Sequence, residues 1–96
     1  MKMLMILCPS SRIESVQKLV DEHQVHGYSE ILEVRGAGVS GKHLGTRAWP
    51  GTSALVFSVV EASKADELIE AVRTLASRCS REEGLRAFVL PVERMV

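Results

Sequence analysis

The sequence predicts an α+β sandwich in which a four-stranded antiparallel sheet carries two helices on one face, in the order βαββαβ. Two observations carry this. Segments with strand and helix periodicity follow one another along the 96 residues as strand, helix, strand, loop, strand, helix, strand. The two strand-helix-strand halves are also weakly similar to each other, as a duplicated unit would be. Apolar residues make up 46% of the chain and aromatics only 4%, so the core of this one domain, residues 1–96, is aliphatic.

Residues 2–8, KMLMILC, form a short apolar run closed by Pro9 and read as the first strand. Ser11-Arg12-Ile13-Glu14 fits the capping-box pattern that opens a helix. Ile13, Val16, Leu19 and Val20 then recur at helical spacing. Gly27 supplies a stop, with His23 and His26 in the last turn against the negative end of the helix dipole. Residues 29–35 alternate, with Glu30, Leu32 and Val34 pointing one way and Ser29, Ile31, Glu33 and Arg35 the other. Residues 53–60, SALVFSVV, are the third strand. Residues 63–80 make the second helix, with Ser63 as N-cap and Asp66 and Glu67 in the first turn. Its apolar stripe runs through Ala65, Leu68, Ile69, Val72, Leu75, Ala76 and Cys79. Residues 85–90 form the last strand, ended by Pro91. This order is the ferredoxin-like arrangement.

Residues 1–8 and 54–60 are apolar on both sides of the pleat. Two helices cover only one sheet face, so a monomer would leave the other oily and wet. Covering it is worth many kcal/mol at roughly 25 cal/mol per Å². The chain is therefore expected to form a homo-oligomer through its sheet.

Between strands two and three lies the segment 36–52, which holds five of the seven glycines and the only tryptophan. Glycines 36, 38, 41 and 45 would permit positive φ and a close approach of backbone to a ligand. Amides around Gly36, Gly38 and Gly41, with Lys42 and with Arg86 from the same or a neighbouring subunit, would cradle a small anion. The competing reading is an ordinary hairpin tip with turn glycines. The run Gly36-Ala37-Gly38-Val39-Ser40-Gly41 matches a GxGxxG string but leads into no helix, which excludes a dinucleotide-binding fold. Arg47 adds charge to the segment, and Trp49 would serve either as a partner-binding anchor or as a cover for the loop's own base.

Twelve basic residues balance twelve acidic ones, and no basic patch with stacking aromatics is visible, so a nucleic-acid partner is not expected. The apolar N-terminal run is too short to span a bilayer and lacks a cleavage pattern, so neither membrane insertion nor secretion is expected. Cys8 and Cys79 have no metal-type spacing and suit small buried hydrophobes in a reducing cytoplasm. No nucleophile–base pair, paired carboxylates or metal motif argues for an enzyme. His23, His26 and His43, with Cys8, are the residues a metal reading would use.

The stretch 27–43, GYSEILEVRGAGVSGKH, resembles the second strand and T-loop start of the PII signalling proteins, and residues 87–93, AFVLPVE, look like that family's last strand. The resemblance covers almost the whole chain in element order. It implies a compact trimer whose sheets face one another across the threefold axis. It also implies adenine-nucleotide effectors in clefts between subunits, and a loop that reports the ligand to a protein target such as a transporter or enzyme. Carried over by position, Ser40-Gly41-Lys42 stands in place of the family's Gln-Lys-Gly. Glu83-Gly84-Leu85-Arg86 stands in place of its Gly-Asp-Gly-Lys, with Arg86 at the phosphate-contacting lysine and Gly84 beside it. The loop is shorter than in long-loop members and holds no tyrosine, and the family's basic C-terminal segment has no counterpart before Val96. A CutA-like trimeric metal-tolerance protein, or an ACT-like amino-acid sensor, would share the strand-helix order.

Overall fold

A computed structural model describes residues 1–36, 52–79 and 84–96. Its elements are β1 (Lys2–Pro9), a 3-10 turn (Ser10–Arg12), α1 (Ile13–Glu22), β2 (Ser29–Val34), β3 (Ser53–Val60), α2 (Ala62–Ala76) and β4 (Arg86–Pro91). The four strands form one antiparallel sheet in the order β2-β3-β1-β4. This is the expected α+β, ferredoxin-like βαββαβ sandwich.

β1 occupies an inner position because it is apolar on both faces, and its register shows how the faces divide. Side chains directly opposite in an antiparallel pair share a face. Leu4, Ile6 and Cys8 pair with Ser58, Val56 and Ala54, and this face carries the helices. Val16, Leu19 and Val20 of α1 and Ala65, Leu68 and Val72 of α2 complete a buried aliphatic core, with Val25 and Leu85 at its margins. The rest of the predicted α2 stripe, Ile69, Leu75, Ala76 and Cys79, packs against this core only in part.

On the other face three rows cross the sheet: Leu90–Met3–Val59, Phe88–Met5–Phe57–Ser29 and Arg86–Leu7–Leu55–Ile31. Nothing in the chain covers them among the described residues. Phe88 is 50% exposed, Ile31 47% and Leu90 41%.

Several local expectations are corrected. α1 does not open on a capping box: Ser10–Arg12 forms a 3-10 turn, and Arg12 at the cap position makes no side-chain capping bond. Gly27 does not stop the helix. The stop is Gln24 at φ 61°, whose N–H reaches Asp21 O at 3.0 Å while the Val25 N–H reaches Val20 O at 3.0 Å. Those two bonds are a Schellman closure. Burial of Val25 beside Val20 supplies its hydrophobic contact, so tertiary packing and not glycine chemistry sets the boundary. His26 consequently lies beyond the helix, and the two histidines do not share one helical face. α2 begins one residue before Ser63, with Glu61 at the cap. Past Ala76 the chain tightens into i−3 bonds, Arg78 N–H to Leu75 O and Cys79 N–H to Ala76 O, each 3.0 Å.

β2 does not keep simple alternation. Ile31 pairs with Leu55 and Val34 with Ser53, so Leu32 and Glu33 stand opposite the single residue Ala54. This bulge puts Val34 on the face of Ile31 instead of that of Glu30. Glu30 stays on the helix side, where it accepts a 2.7 Å bond from Gln17 Nε2.

Candidate functional site

The pairing of the strands decides what meets at the loop end of the sheet. Val34, the last residue of β2, pairs with Ser53, the first of β3, and Ser53 pairs with Pro9, the last of β1. Across β1, Leu7 pairs with Arg86, the first residue of β4. Both ends of the segment 36–52 and the start of β4 therefore come together at one end of the sheet. Its predicted residues Gly38, Ser40, Gly41, Lys42, His43, Arg47 and Trp49 lie outside the described residues.

Gly84 takes φ +76°, a left-handed conformation that a side chain resists, although an added Cβ would meet no atom within 4 Å. The requirement for glycine there is conformational. The turn it makes drops Leu85 into the core and starts β4 at Arg86. Arg86 is exposed on the side of the sheet shared with Leu7. Its Nη1 donates to Leu85 O at 3.0 Å, and among the described residues the guanidinium makes no other hydrogen bond. A planar cation with donors to spare can take a carboxylate or phosphate. Gly36, in contrast, lies outside the left-handed region and has open space around it, so the expectation of positive φ fails at that position.

A contact that the sequence did not announce closes the base of the segment. Ser10 Oγ donates to Thr52 O at 2.8 Å and lies 2.8 Å from Thr52 Oγ1, and the Ser10 N–H reaches the same carbonyl at 2.9 Å. Because Pro9 has no N–H, Ser10 is the first residue after Cys8 on β1 able to donate a backbone proton. The only local signal was a hydroxyl residue at the end of each of two strands, which many loops share.

Elsewhere the chemistry is settled by partners. His23 Nδ1 lies 2.6 Å from Glu67 Oε2, and Lys64 Nζ donates to both oxygens of Glu67 at 3.1 and 3.2 Å and to His23 O at 2.9 Å. The His23 hydrogen bond first, and the Lys64 bond second, hold the Glu67 carboxyl below its ordinary value. Cys8 is fully buried, and burial pushes its thiol up to about 11 against a smaller opposing effect of the Ala54 backbone bond. That thiol is a core group unsuited to metal ligation. Among the described residues no three His, Cys, Asp or Glu side chains gather as a metal site. A surface hollow of about 630 Å³ lies between the helices, lined among others by Lys18, Glu67 and Arg78. It is built from the helical layer and takes no residue from the loop end of the sheet. No helix among the described residues is long and apolar enough to cross a membrane.

Comparison with known proteins gives a consistent result. A family model described as nitrogen regulatory protein P-II matches residues 1–96. No curated protein matches the chain. Among solved structures, the apo form of CPII from Thiomonas intermedia K12, a nitrogen regulatory PII-like protein, superposes with a TM-score of 0.68 at 18% identity, over 92% of this chain and 84% of that one. CPII bound to ADP, AMP and bicarbonate gives a TM-score of 0.69 at 21% identity, over 92% and 81% of the two chains. A PII-like signaling protein from Thermus thermophilus gives 0.67 at 17%, again over 92% and 81%. At such identities the likeness is one of fold.

Proposed function

The chain belongs to the nitrogen regulatory protein P-II family, and from that premise we propose that it is a non-catalytic, single-domain cytoplasmic regulator that senses a small anionic effector. The effector class is an adenine nucleotide, ADP or AMP, as in the CPII structures. The chain assembles as a homotrimer through its open sheet face, and the effector sits in the clefts between subunits. Gly36, Gly38, Ser40, Gly41 and Lys42 border the ligand from the loop, and Gly84 and Arg86 border it from the start of β4. Arg47 and Trp49 meet a protein target, such as a transporter or an enzyme. Ligand binding at this end of the sheet changes the surface offered to that target.

The observation that carries this reading is the convergence of both ends of the segment with Arg86 at one end of the sheet. A charge-bearing β4 start beside a glycine-rich connection suits a phosphate, and it stands at the margin of the face expected to be covered by neighbours.

The test is isothermal calorimetry and thermal shift of the purified protein with ADP, AMP and bicarbonate. A ligand held at 100 times its Kd stabilises by about 2.7 kcal/mol, a melting shift of several degrees. Absence of both heat and shift with ADP and AMP would overturn the nucleotide reading. Arg86→Ala is expected to weaken ADP binding about tenfold or more, the loss of one charge-assisted contact.

A further inference from the structure

We propose that the hollow between α1 and α2 is a docking groove for an amphipathic helix of a partner protein, with the carboxylates of that helix directed at Lys18 and Arg78. The inference stands apart from the effector reading above, because every residue that forms the groove belongs to the helical layer.

The groove follows from the spacing of residues on the two helices. Its lining residues fall three or four apart, from 15 to 23 on one wall and from 67 to 78 on the other, so each wall is a single helical stripe. At 1.5 Å per residue the walls run for about 12 and about 16 Å, roughly two to three helical turns. Leu19, Ala71 and Leu75 give it an apolar floor that is buried or half-buried, and the short side chain of Ala71 leaves room between the helices. Two parallel stripes over an apolar floor are what a third helix packs against.

The charges select the kind of helix. His23 Nδ1 lies 2.6 Å from Glu67 Oε2, so the end of α1 meets the start of α2 and the two helices run in opposite directions. Lys18 and Arg78 accordingly stand toward the start of α1, and Glu22, Glu67 and Glu70 toward its end. The acidic end is largely satisfied from within: Lys64 and His23 hold Glu67, and Arg73 Nε lies 3.3 Å from Glu70 Oε1. Lys18 and Arg78 have no such partner among the described residues. The complement of this groove is an apolar ridge with carboxylates at one end, the pattern of an amphipathic helix that is acidic in one terminal turn. Nucleic acid and anionic lipid fit poorly, since their repeated phosphates would meet the three glutamates a turn or two away. A second copy of this chain offering the same concave face would leave the floor uncovered.

The experiment uses the full chain, labelled with nitrogen-15, and three synthetic amphipathic helical peptides. The peptides share one leucine ridge and differ in the first turn, which carries two Glu, two Gln or two Lys. The Glu peptide is expected to shift the amide resonances of Leu19, Ala71 and Leu75 and to bind about tenfold or more tightly than the Lys peptide, since attractive contacts are exchanged for repulsive ones. A double variant, Lys18→Glu with Arg78→Glu, is changed only at exposed positions and should keep its fold while reversing that order. Equal binding of the three peptides, or an order unchanged in the double variant, would overturn the proposal. So would resonance shifts confined to the open sheet face, and so would no binding by any peptide. If ADP or inorganic phosphate shifted the same three amides, the groove would be a small-anion site and the helix reading would be wrong.

Discussion

Gln24 sits at φ 61°, where a side chain crowds its own backbone and costs about 1–2 kcal/mol. It is held there by the two bonds of the Schellman closure and by the burial of Val25. Gln24→Gly should therefore raise stability, by up to about 1 kcal/mol after the greater freedom of glycine in the unfolded chain is subtracted. Urea midpoints of the two proteins check this. Gly84, at φ +76°, is the reverse case. Gly84→Ala meets no steric neighbour but must adopt the same disfavoured backbone, so it should lose about 1 kcal/mol and, by shifting the turn before Arg86, weaken ADP as well. Neither conformation was assigned from the sequence: positive φ was expected at glycines 36, 38, 41 and 45, and the stop at Gln24 is imposed from outside by a buried valine while the nearby Gly27 drew the boundary to itself.

Between elements, the tie that joins the end of α1 to the start of α2 is a set of hydrogen bonds from His23 and Lys64. Glu67 is held below its ordinary carboxylate value by His23 first and Lys64 second, so its stabilising effect is present above the unfolded value, roughly 4.3. That effect is lost as pH falls through the lower folded value. Glu67→Gln should consequently lower the melting temperature slightly at about pH 6, and the two curves should converge as pH drops below about 4. The difference will be small because the carboxylate is exposed. Thermal melts across that range would refute the assignment if the gap widened toward acid. Element identity was legible for this chain because β1 and β3 are long apolar runs and both helices keep one dominant period. β3 matches its expected bounds, 53–60, since polar residues flank an apolar run broken only by Ser58. The bulge in β2 was hidden, because Ser29 to Val34 alternates in sequence regardless of how β3 pairs with it. Gly84 and Arg86 were expected from the resemblance of residues 83–86 to the family's loop, and the sheet pairing puts the start of β4 at the same end of the sheet as the segment 36–52. The contact between Ser10 and Thr52 joins residues 42 apart and has no periodic signature.

At the scale of the molecule, the open face decides what the protein is in solution. Its rows of Met3, Met5, Leu7, Leu55, Phe57, Val59, Phe88 and Leu90 are laid flat on a rigid sheet, and no described segment of the chain folds back over them. Each half-exposed Phe, Ile or Leu that a neighbour covers returns on the order of 1 kcal/mol. A few such residues per interface, repeated by symmetry, offset the entropic cost of association. Phe88 is the informative one to change. It is 50% exposed in the single chain and absent from the aliphatic core, so Phe88→Glu should leave the fold of one subunit intact. Buried against a symmetry-related sheet, however, the same glutamate would be an unpaired charge in an apolar seam, costly by several kcal/mol. Light scattering should then report a fall from three chain masses to one, with unchanged far-ultraviolet circular dichroism. Because the site is proposed to lie between subunits, ADP binding should vanish in the same variant while Arg86 is still present. A monomeric Phe88→Glu protein that bound ADP as tightly as wild type would place the whole effector site within one chain and refute the inter-subunit cleft.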